Sequence, residues 1–411
     1  MGEGKGEGCL PVKYIILIGD GMSDEPIEEL GNKTPLQAAK TPNMDMLVQK
    51  GSIGLVKNVP EGYPPGSDVA ILSVLGYDPK KYYTGRSPLE AASMGVKLGP
   101  NDLAFRCNLV TLGQQNGRVF MGDFSADHIS TDEAREIIKD IDKELSSEGI
   151  RFYPGVSYRH LMVWNGGPDG IQTTPPHDIT GRIIEEYLPK GEGSKRLIQL
   201  MTASQMILKE HPVNMKREED GHKPANSIWL WGQGRAPKMP TLKERFDIEG
   251  SVISAVDLVK GVGIYAGLKV VNVPGATGYI DTNYQGKAEY ALKELETRDF
   301  VCVHVEAPDE AGHNGDLKNK IKAIEDFDKE VVGRVMDGVT QFKHYRILVL
   351  PDHPTPVVKK THTRDPVPFA MFPAKASASG GGGKAFTEAD AKASGLFIED
   401  GYKLIKRFFE R

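Results

Sequence analysis

Cysteine is scarce in this chain: Cys9, Cys107 and Cys302 are the only three. An odd, unclustered set excludes a disulfide framework and reads as reduced thiols in a reducing compartment. No apolar run approaches the ~20 residues needed to span a bilayer. The opening MGEGKGEGCLP is rich in glycine and charge. It lacks the apolar core of a signal peptide and reads as a flexible leader, so the cytoplasm is the expected compartment. A basic excess is missing too. The formal net charge of −5 excludes the usual basic face of a nucleic-acid binder, while 51 Lys and Arg leave room for a local anion pocket. There is no internal repeat, and the only low-complexity stretch is the glycine run at 380–383, read as a loop before a last helix at 401–410.

What is present is enough material for two domains. The chain has 411 residues, 39% hydrophobic and 26% charged, and ordinary domains run to roughly 100–200 residues. The run YIILI at 14–18 is short, β-branched and apolar, as a buried parallel strand should be. Similar runs recur at 300–305, 346–350 and 367–372, with helical patterns between them, including one over 318–337. That alternation predicts an α/β fold with a mostly parallel sheet flanked by helices. The middle of the chain differs. Strand-like runs at 105–112, 160–164 and 228–231 alternate with polar helices over 131–148 and 193–210. The organisation expected is therefore a discontinuous domain, 12–100 and 236–411, with a smaller α/β domain inserted at 101–235. The segments GYPPGSDV and GQGRAPKMP, rich in glycine and proline, are expected as loops.

Three groups of metal-ligand residues each follow a predicted strand, where open α/β sheets place their ligand sites. Asp20 comes directly after YIILI, although a lone Asp there is also a common helix cap. Asp309 and His313 lie four residues apart in APDEAGHNGD, so one helical turn puts them on one face; a surface pair would look the same. Asp352 and His353 end the run RILVL, and His362 follows in THTRDPVPF. Carboxylate and imidazole donors suit Mn²⁺, Zn²⁺ or Mg²⁺, and two such ions about 3.5–4 Å apart serve phosphoryl chemistry. A nucleophile is available in GYPPGSDVA. Ser67 is expected at the start of a helix, where free N–H groups and the dipole favour a phosphoryl group on its side chain. A serine at that place also serves as a plain N-cap.

The series Asp20, Ser67, Asp309, His313, Asp352, His353 and His362 resembles the alkaline phosphatase superfamily. Within it, the stretches PPGSDVAILSVLGYDPKKYYTGRSPLEAA, DLAFRCNLVTL, ANSIWLWGQGRAP, GATGYIDTNYQGKA, DEAGHNGD and PDHPTP resemble the archaeal-type branch of cofactor-independent phosphoglycerate mutases. These motifs cover most of the chain in the family's order. The resemblance implies a metal-binding phosphatase-like domain interrupted by a substrate-binding domain. It implies two divalent ions, Mn²⁺ by family analogy with Zn²⁺, Mg²⁺ or Co²⁺ as alternatives. Asp20, Ser67, Asp352 and His353 would hold one ion, and Asp309, His313 and His362 the other. Ser67 would carry a phosphoserine intermediate. Lys287 would be an electrostatic partner of the transferring group, where its bland alternative is a solvated helix lysine. Arg106, His128, Arg159, His177 and Asp178 fall where the family contacts its phosphorylated sugar acid, and arginine suits such anions. The stretch DFSADHIS stands where some members carry an arginine-rich segment.

The expected activity is interconversion of 3-phosphoglycerate and 2-phosphoglycerate without 2,3-bisphosphoglycerate, by a monomer or small homo-oligomer. The rivals are another phosphotransferase on the same scaffold, such as a homoserine kinase, a phosphatase, and a non-catalytic metal-binding scaffold. ATP-dependent phosphorylation of homoserine would mark the first rival. Intact Ser67 and all six other candidate ligands speak against the scaffold.

Overall fold

A computed structural model describes residues 12–147, 149–373 and 384–410. The leader, Cys9 and the glycine run at 380–383 lie outside the described residues. The chain forms two compact units, the first up to Tyr83 and again from Lys238 onward, the second Thr84–Pro237. The second unit thus opens before the expected residue 101. The reason is helix Ser87–Ser93, whose Ser87 hydroxyl donates to the Gly232 carbonyl at 2.5 Å and whose Ala91 packs with Ala104, Leu161 and Val163.

Strands β1 (Lys13–Gly19) and β2 (Ser52–Val56) come first. The second unit then supplies β3 (Asp102–Gln115), β4 (Arg118–Asp123), β5 (Ile150–Val156), β6 (Arg159–Asn165) and β7 (Ser227–Gly234). The chain returns with β8 (Gly250–Ile253), β9 (Lys269–Val271), β10 (Phe300–Val305), β11 (Tyr345–Leu350), β12 (Val367–Phe372) and β13 (Phe397–Ile398).

In the first unit the strand order is β13-β2-β12-β11-β1-β10-β8-β9. All neighbours run parallel except β12, which is antiparallel to β11 and β2. This is a mixed α/β architecture with a largely parallel sheet. Covered by helices on both faces, β1 buries Ile15 and Leu17 on one side and Ile16 and Ile18 on the other, which is why its sequence does not alternate. Gly19 sits opposite Val305 and Ile18 opposite Leu350, so β1, β10 and β11 end at one level.

The second unit is an antiparallel sheet, β4-β3-β6-β5 with β7 on β3. Helices Thr131–Leu145 and Ser194–Leu208 bury Ile137, Ile141, Leu197 and Leu200 in one core with Phe105, Met162 and Trp229. A capping box between Ser130 and Glu133 starts the first of these helices. GQG of the expected loop GQGRAPKMP instead extends β7.

The single helix expected over 318–337 is interrupted. An α-helix, Leu317–Asp326, passes into a π-helical stretch, Phe327–Gly333, before Arg334–Gly338. The cause lies far away in sequence. The Asp328 carboxylate accepts from the backbone N–H groups of Asn43 (3.2 Å) and Met44 (2.7 Å) at the start of helix Pro42–Lys50. Asn43 Nδ2 donates back to the Asp328 carbonyl at 3.1 Å, an outside donor of the kind that opens a helical ladder. Replacing the buried Asp328 by Ala is expected to lower the unfolding free energy of this unit by about 2 kcal/mol in urea titrations, because two helix N–H groups lose their acceptor. An unchanged midpoint would contradict this role.

Candidate active site

Because β1, β10 and β11 are adjacent, parallel and in register, the residues after them converge at one sheet edge. Asp20 follows β1, Asp309 sits on helix Ala307–Asn314 after β10, and Asp352 and His353 follow β11. His362 lies on the loop between β11 and β12. The packing is close enough to demand glycine at position 21. Its φ is +62°, and a Cβ there would stand 2.6 Å from Thr355 Oγ1 and 2.7 Å from Asp309 Oδ1.

Two groups of side chains with metal-ligand character result: Asp309, His313 and His362, and Asp20, Asp352 and His353. Within each, the candidate ligand atoms lie within 4.8 Å of one another. Backbone carbonyls hold the imidazoles of the first group. His313 Nδ1 faces the Lys360 carbonyl at 3.1 Å and His362 Nδ1 the Pro65 carbonyl at 2.7 Å. That arrangement fixes Nδ1 as the protonated nitrogen in a neutral ring and turns both Nε2 atoms inward. Those two Nε2 atoms are 2.8 Å apart, and each is 3.3 Å from the Asp309 carboxylate. In the second group, His353 Nε2 lies 3.5 Å from Asp20 Oδ1 and 3.4 Å from Asp352 Oδ2. The ring centroids of His353 and His362 are 4.1 Å apart with the planes tilted by 43°, so the groups adjoin.

The residues fit divalent ions on grounds internal to the structure. Asp20 Oδ1 and Asp352 Oδ2 are buried oxygens without a hydrogen-bond donor, and such atoms are costly unless something binds them. Electrostatics agree. Burial, together with Asp352 and Asp309, pushes the Asp20 carboxyl well above its ordinary range. Burial opposes the charge on Asp309 as well, but hydrogen bonds from His313 and His362 hold it well below that range. His313, despite its own burial, is raised to about 9 by Asp309. Three buried carboxylates thus share a small volume with protons where cations would serve better.

Ser67 stands at this edge as the first residue of helix Ser67–Val74. The N-cap is Gly66, and no side chain caps the helix. The Ser67 hydroxyl instead donates to Asp20 Oδ2 at 3.4 Å and lies 3.2 Å from His353 Nε2. Lys287 is fully buried, not a solvated helix lysine, and its ammonium donates to the His304 carbonyl at 3.0 Å. Burial lowers its pKa to about 8, against the opposing pull of Glu306.

In the second unit the expected anion-contacting residues share one aromatic patch. The Arg106 guanidinium lies over Trp231 at 4.5 Å and pairs with Glu90 at 3.0 Å. His177 packs edge-on against the same Trp231 at 5.3 Å and against Phe124 at 6.1 Å. Phe124 meets Tyr158 at 5.7 Å, and Tyr158 in turn meets His128 at 5.9 Å and Arg159 at 5.8 Å. Asp178 joins through His177, 3.6 Å away. His128 closes a run of three residues, Ala126, Asp127 and His128, all at positive φ. Such a run is strained for side chains with a Cβ. The Arg217 guanidinium braces it by donating to the Ala126 carbonyl at 2.7 Å.

Three participants were not singled out from sequence. His304 lies inside β10, fully buried, with Nε2 at 3.0 Å from Asp20 Oδ2. Its pKa falls to about 4, chiefly through burial, so it stays neutral there. Thr355 donates its hydroxyl to Asp309 Oδ1. Arg86 bears on Arg106, whose pKa is lowered to about 10 by burial and then by Arg86 and Arg159. Only the position of His304, five residues before Asp309, hinted at a role.

Two adjoining carboxylate–imidazole groups, with a serine hydroxyl at a helix start beside them, place the protein among α/β enzymes equipped for phosphoryl transfer. A family model described as 2,3-bisphosphoglycerate-independent phosphoglycerate mutase matches residues 48–214. The chain is 58% identical to a probable 2,3-bisphosphoglycerate-independent phosphoglycerate mutase of Geobacter sulfurreducens, over 97% of this chain and 100% of that one. It is likewise 58% identical to the 2,3-bisphosphoglycerate-independent phosphoglycerate mutase of Methanosarcina acetivorans, over 88% of this chain and 90% of the relative. A solved structure from Pyrococcus horikoshii aligns with a TM-score of 0.82 at 30% identity, covering 97% of both chains. The chain belongs to the 2,3-bisphosphoglycerate-independent phosphoglycerate mutase family. No helix among the described residues is long and apolar enough to cross a membrane.

Proposed function

We propose that this protein interconverts 3-phosphoglycerate and 2-phosphoglycerate by passing the phosphoryl group through Ser67, with no need for 2,3-bisphosphoglycerate. The observation that carries this reading is the Ser67 hydroxyl, directed at Asp20 and His353 instead of capping its own helix. Asp20, Ser67, Asp352 and His353 would hold one divalent ion, and Asp309, His313 and His362 the other, with Mn²⁺ the first candidate and Zn²⁺, Mg²⁺ or Co²⁺ the alternatives. Such ions supply positive charge for the phosphate oxygens and lower the pKa of nearby hydroxyls.

The chain's own groups account for the rest. Ser67 Oγ forms a bond to phosphorus as the ester oxygen of the substrate departs and takes up a proton. The helix start favours the resulting phosphoserine through its dipole and free N–H groups. The other glycerate hydroxyl then attacks phosphorus, releasing Ser67. Two in-line displacements give net retention at phosphorus. Lys287, bonded to the His304 carbonyl behind Asp20, adds a positive charge near the site. In the second unit, Arg106, Arg159, His128 and His177 would offer guanidinium and imidazole donors to the substrate's carboxylate, and Asp178 would accept from a hydroxyl. The protein acts on a small soluble anion in the cytoplasm, as a monomer or small homo-oligomer.

A coupled assay for 2-phosphoglycerate formation, with Mn²⁺-loaded protein and no added 2,3-bisphosphoglycerate, tests this reading. Sustained turnover is expected. Absence of turnover, with ATP-dependent phosphorylation of homoserine in its place, would overturn it.

A further inference from the structure

Lys320 is one of three closely spaced lysines, at 318, 320 and 322. In the structure it is fully buried on helix Leu317–Asp326. Its ammonium has three donors and three acceptors: Asp24 Oδ2 at 2.8 Å, the Thr355 carbonyl at 2.7 Å and the Ser23 carbonyl at 3.4 Å. These acceptors come from two different loops. Ser23 and Asp24 follow β1 on the turn that carries Asp20. Thr355 follows β11 on the segment that carries Asp352 and His353.

The same two loops are stitched together around that ammonium. The Thr355 N–H donates to the Ser23 carbonyl at 3.2 Å, and the Val357 N–H to Asp24 Oδ2 at 3.1 Å. Glu388, from a helix elsewhere in the unit, accepts from the Asp24 N–H at 3.3 Å and from the Thr34 hydroxyl at 2.8 Å. Thr355 is the link onward to the site. Its main chain is held by Lys320, and its hydroxyl donates to Asp309 Oδ1, in the group with His313 and His362.

We propose that Lys320 is a positioning residue for the candidate metal centre, an internal cation that locks the loops after β1 and β11 together and, through Thr355, sets the orientation of the Asp309 carboxylate. This rests on the two-metal reading of the site. A buried lysine is expensive to desolvate and is retained only where its partners demand it. Here the partners are two backbone carbonyls and one carboxylate, all on the loops that carry candidate ligands. A buried ammonium does for these loops what outer hydrogen bonds do for metal ligands generally: it fixes their direction before any ion arrives.

The test is Co²⁺ titration of the full-length protein, followed by calorimetry and by the visible absorption of the bound ion. Lys320→Met removes the ammonium but leaves Asp24 as an unpaired buried carboxylate, which can prevent folding. The double variant Lys320→Met/Asp24→Asn removes both charges and keeps an acceptor for the Val357 N–H. In the double variant, a cooperative melt of the metal-free protein is expected together with at least about a tenfold loss of Co²⁺ affinity and an altered Co²⁺ spectrum, the range seen when outer partners of metal ligands are lost. A change of spectrum is a readout that a purely structural lysine would not move. Wild-type affinity and spectrum in the folded double variant would overturn the inference and leave the two-metal reading standing. Failure of the wild-type protein to bind Co²⁺ at all would overturn both.

Discussion

Replacing Ser67 by Ala is expected to reduce kcat for 3-phosphoglycerate by at least about a thousandfold, because a covalent pathway has no substitute for its nucleophile. The rest of the site argues that this loss would be chemical and not structural. Ser67 is the first residue of its helix, but Gly66 is the N-cap and no serine oxygen caps an N–H. Its loss therefore removes hydrogen bonds only to Asp20 and His353, both of which retain other partners within 3.5 Å. The helix itself is anchored by fully or nearly buried Val69, Ala70, Ile71 and Leu72. The melting transition should stay in place while the activity disappears. A variant that keeps a substantial fraction of wild-type kcat would remove Ser67 from the pathway.

Metal removal is the second large effect. After chelation and buffer exchange, mutase activity is expected to vanish and to return on addition of Mn²⁺. The stability of the first unit should fall as well. An ion present at a thousandfold over its dissociation constant stabilises the folded state by about 4 kcal/mol, roughly ten degrees in melting temperature for a unit of this size. The physical source is visible in the protein alone. Asp20, Asp309 and Asp352 are all buried, and burial with the two neighbouring carboxylates keeps Asp20 well above its ordinary pKa. Without cations, these carboxylates repel one another and at least one must hold a proton. Equal melting curves and undiminished activity after exhaustive chelation would contradict a metal role for both groups.

Much of this site was legible in the sequence because parallel strands make local patterns long-range. β1, β10 and β11 are short apolar runs followed within four residues by Asp20, Asp309 and Asp352. Once three such strands lie side by side in register, their carboxylates must meet. The helical spacing of Asp309 and His313 worked in the same way, since one turn of Ala307–Asn314 brings both toward His362. The largely parallel α/β sheet followed from the same runs.

What escaped was set by contacts between distant segments. His304 lies in FVCVHV, where a histidine among β-branched residues reads as ordinary strand; only the pairing of β10 with β1 turns it onto Asp20. Lys320 shares a helix face with Ile324 and Phe327, but its charge reads as solvated; the loops after β1 and β11 close over it. The π-helical stretch depends on Asn43, which is 285 residues from Asp328 and carries no local sign of the contact. Helix Ser87–Ser93 follows the Ser67 helix closely in the chain, so nothing local assigns it to the second unit. Its Ser87 hydroxyl bond to Gly232, across 145 residues, does. The aromatic patch under Arg106 and His177 likewise needs Trp231 from the far end of that unit.

The most direct test of a phosphoryl group passing through Ser67 is a rapid acid quench of Mn²⁺-loaded protein with 3-phosphoglycerate labelled at phosphorus, followed by peptide mapping. The label is expected on the peptide that carries GSDVAILS, at Ser67, within the first turnover and at a level that stays below one per chain. Turnover to 2-phosphoglycerate with the protein unlabelled at every time point, or labelled on a histidine instead, would contradict a covalent pathway through Ser67.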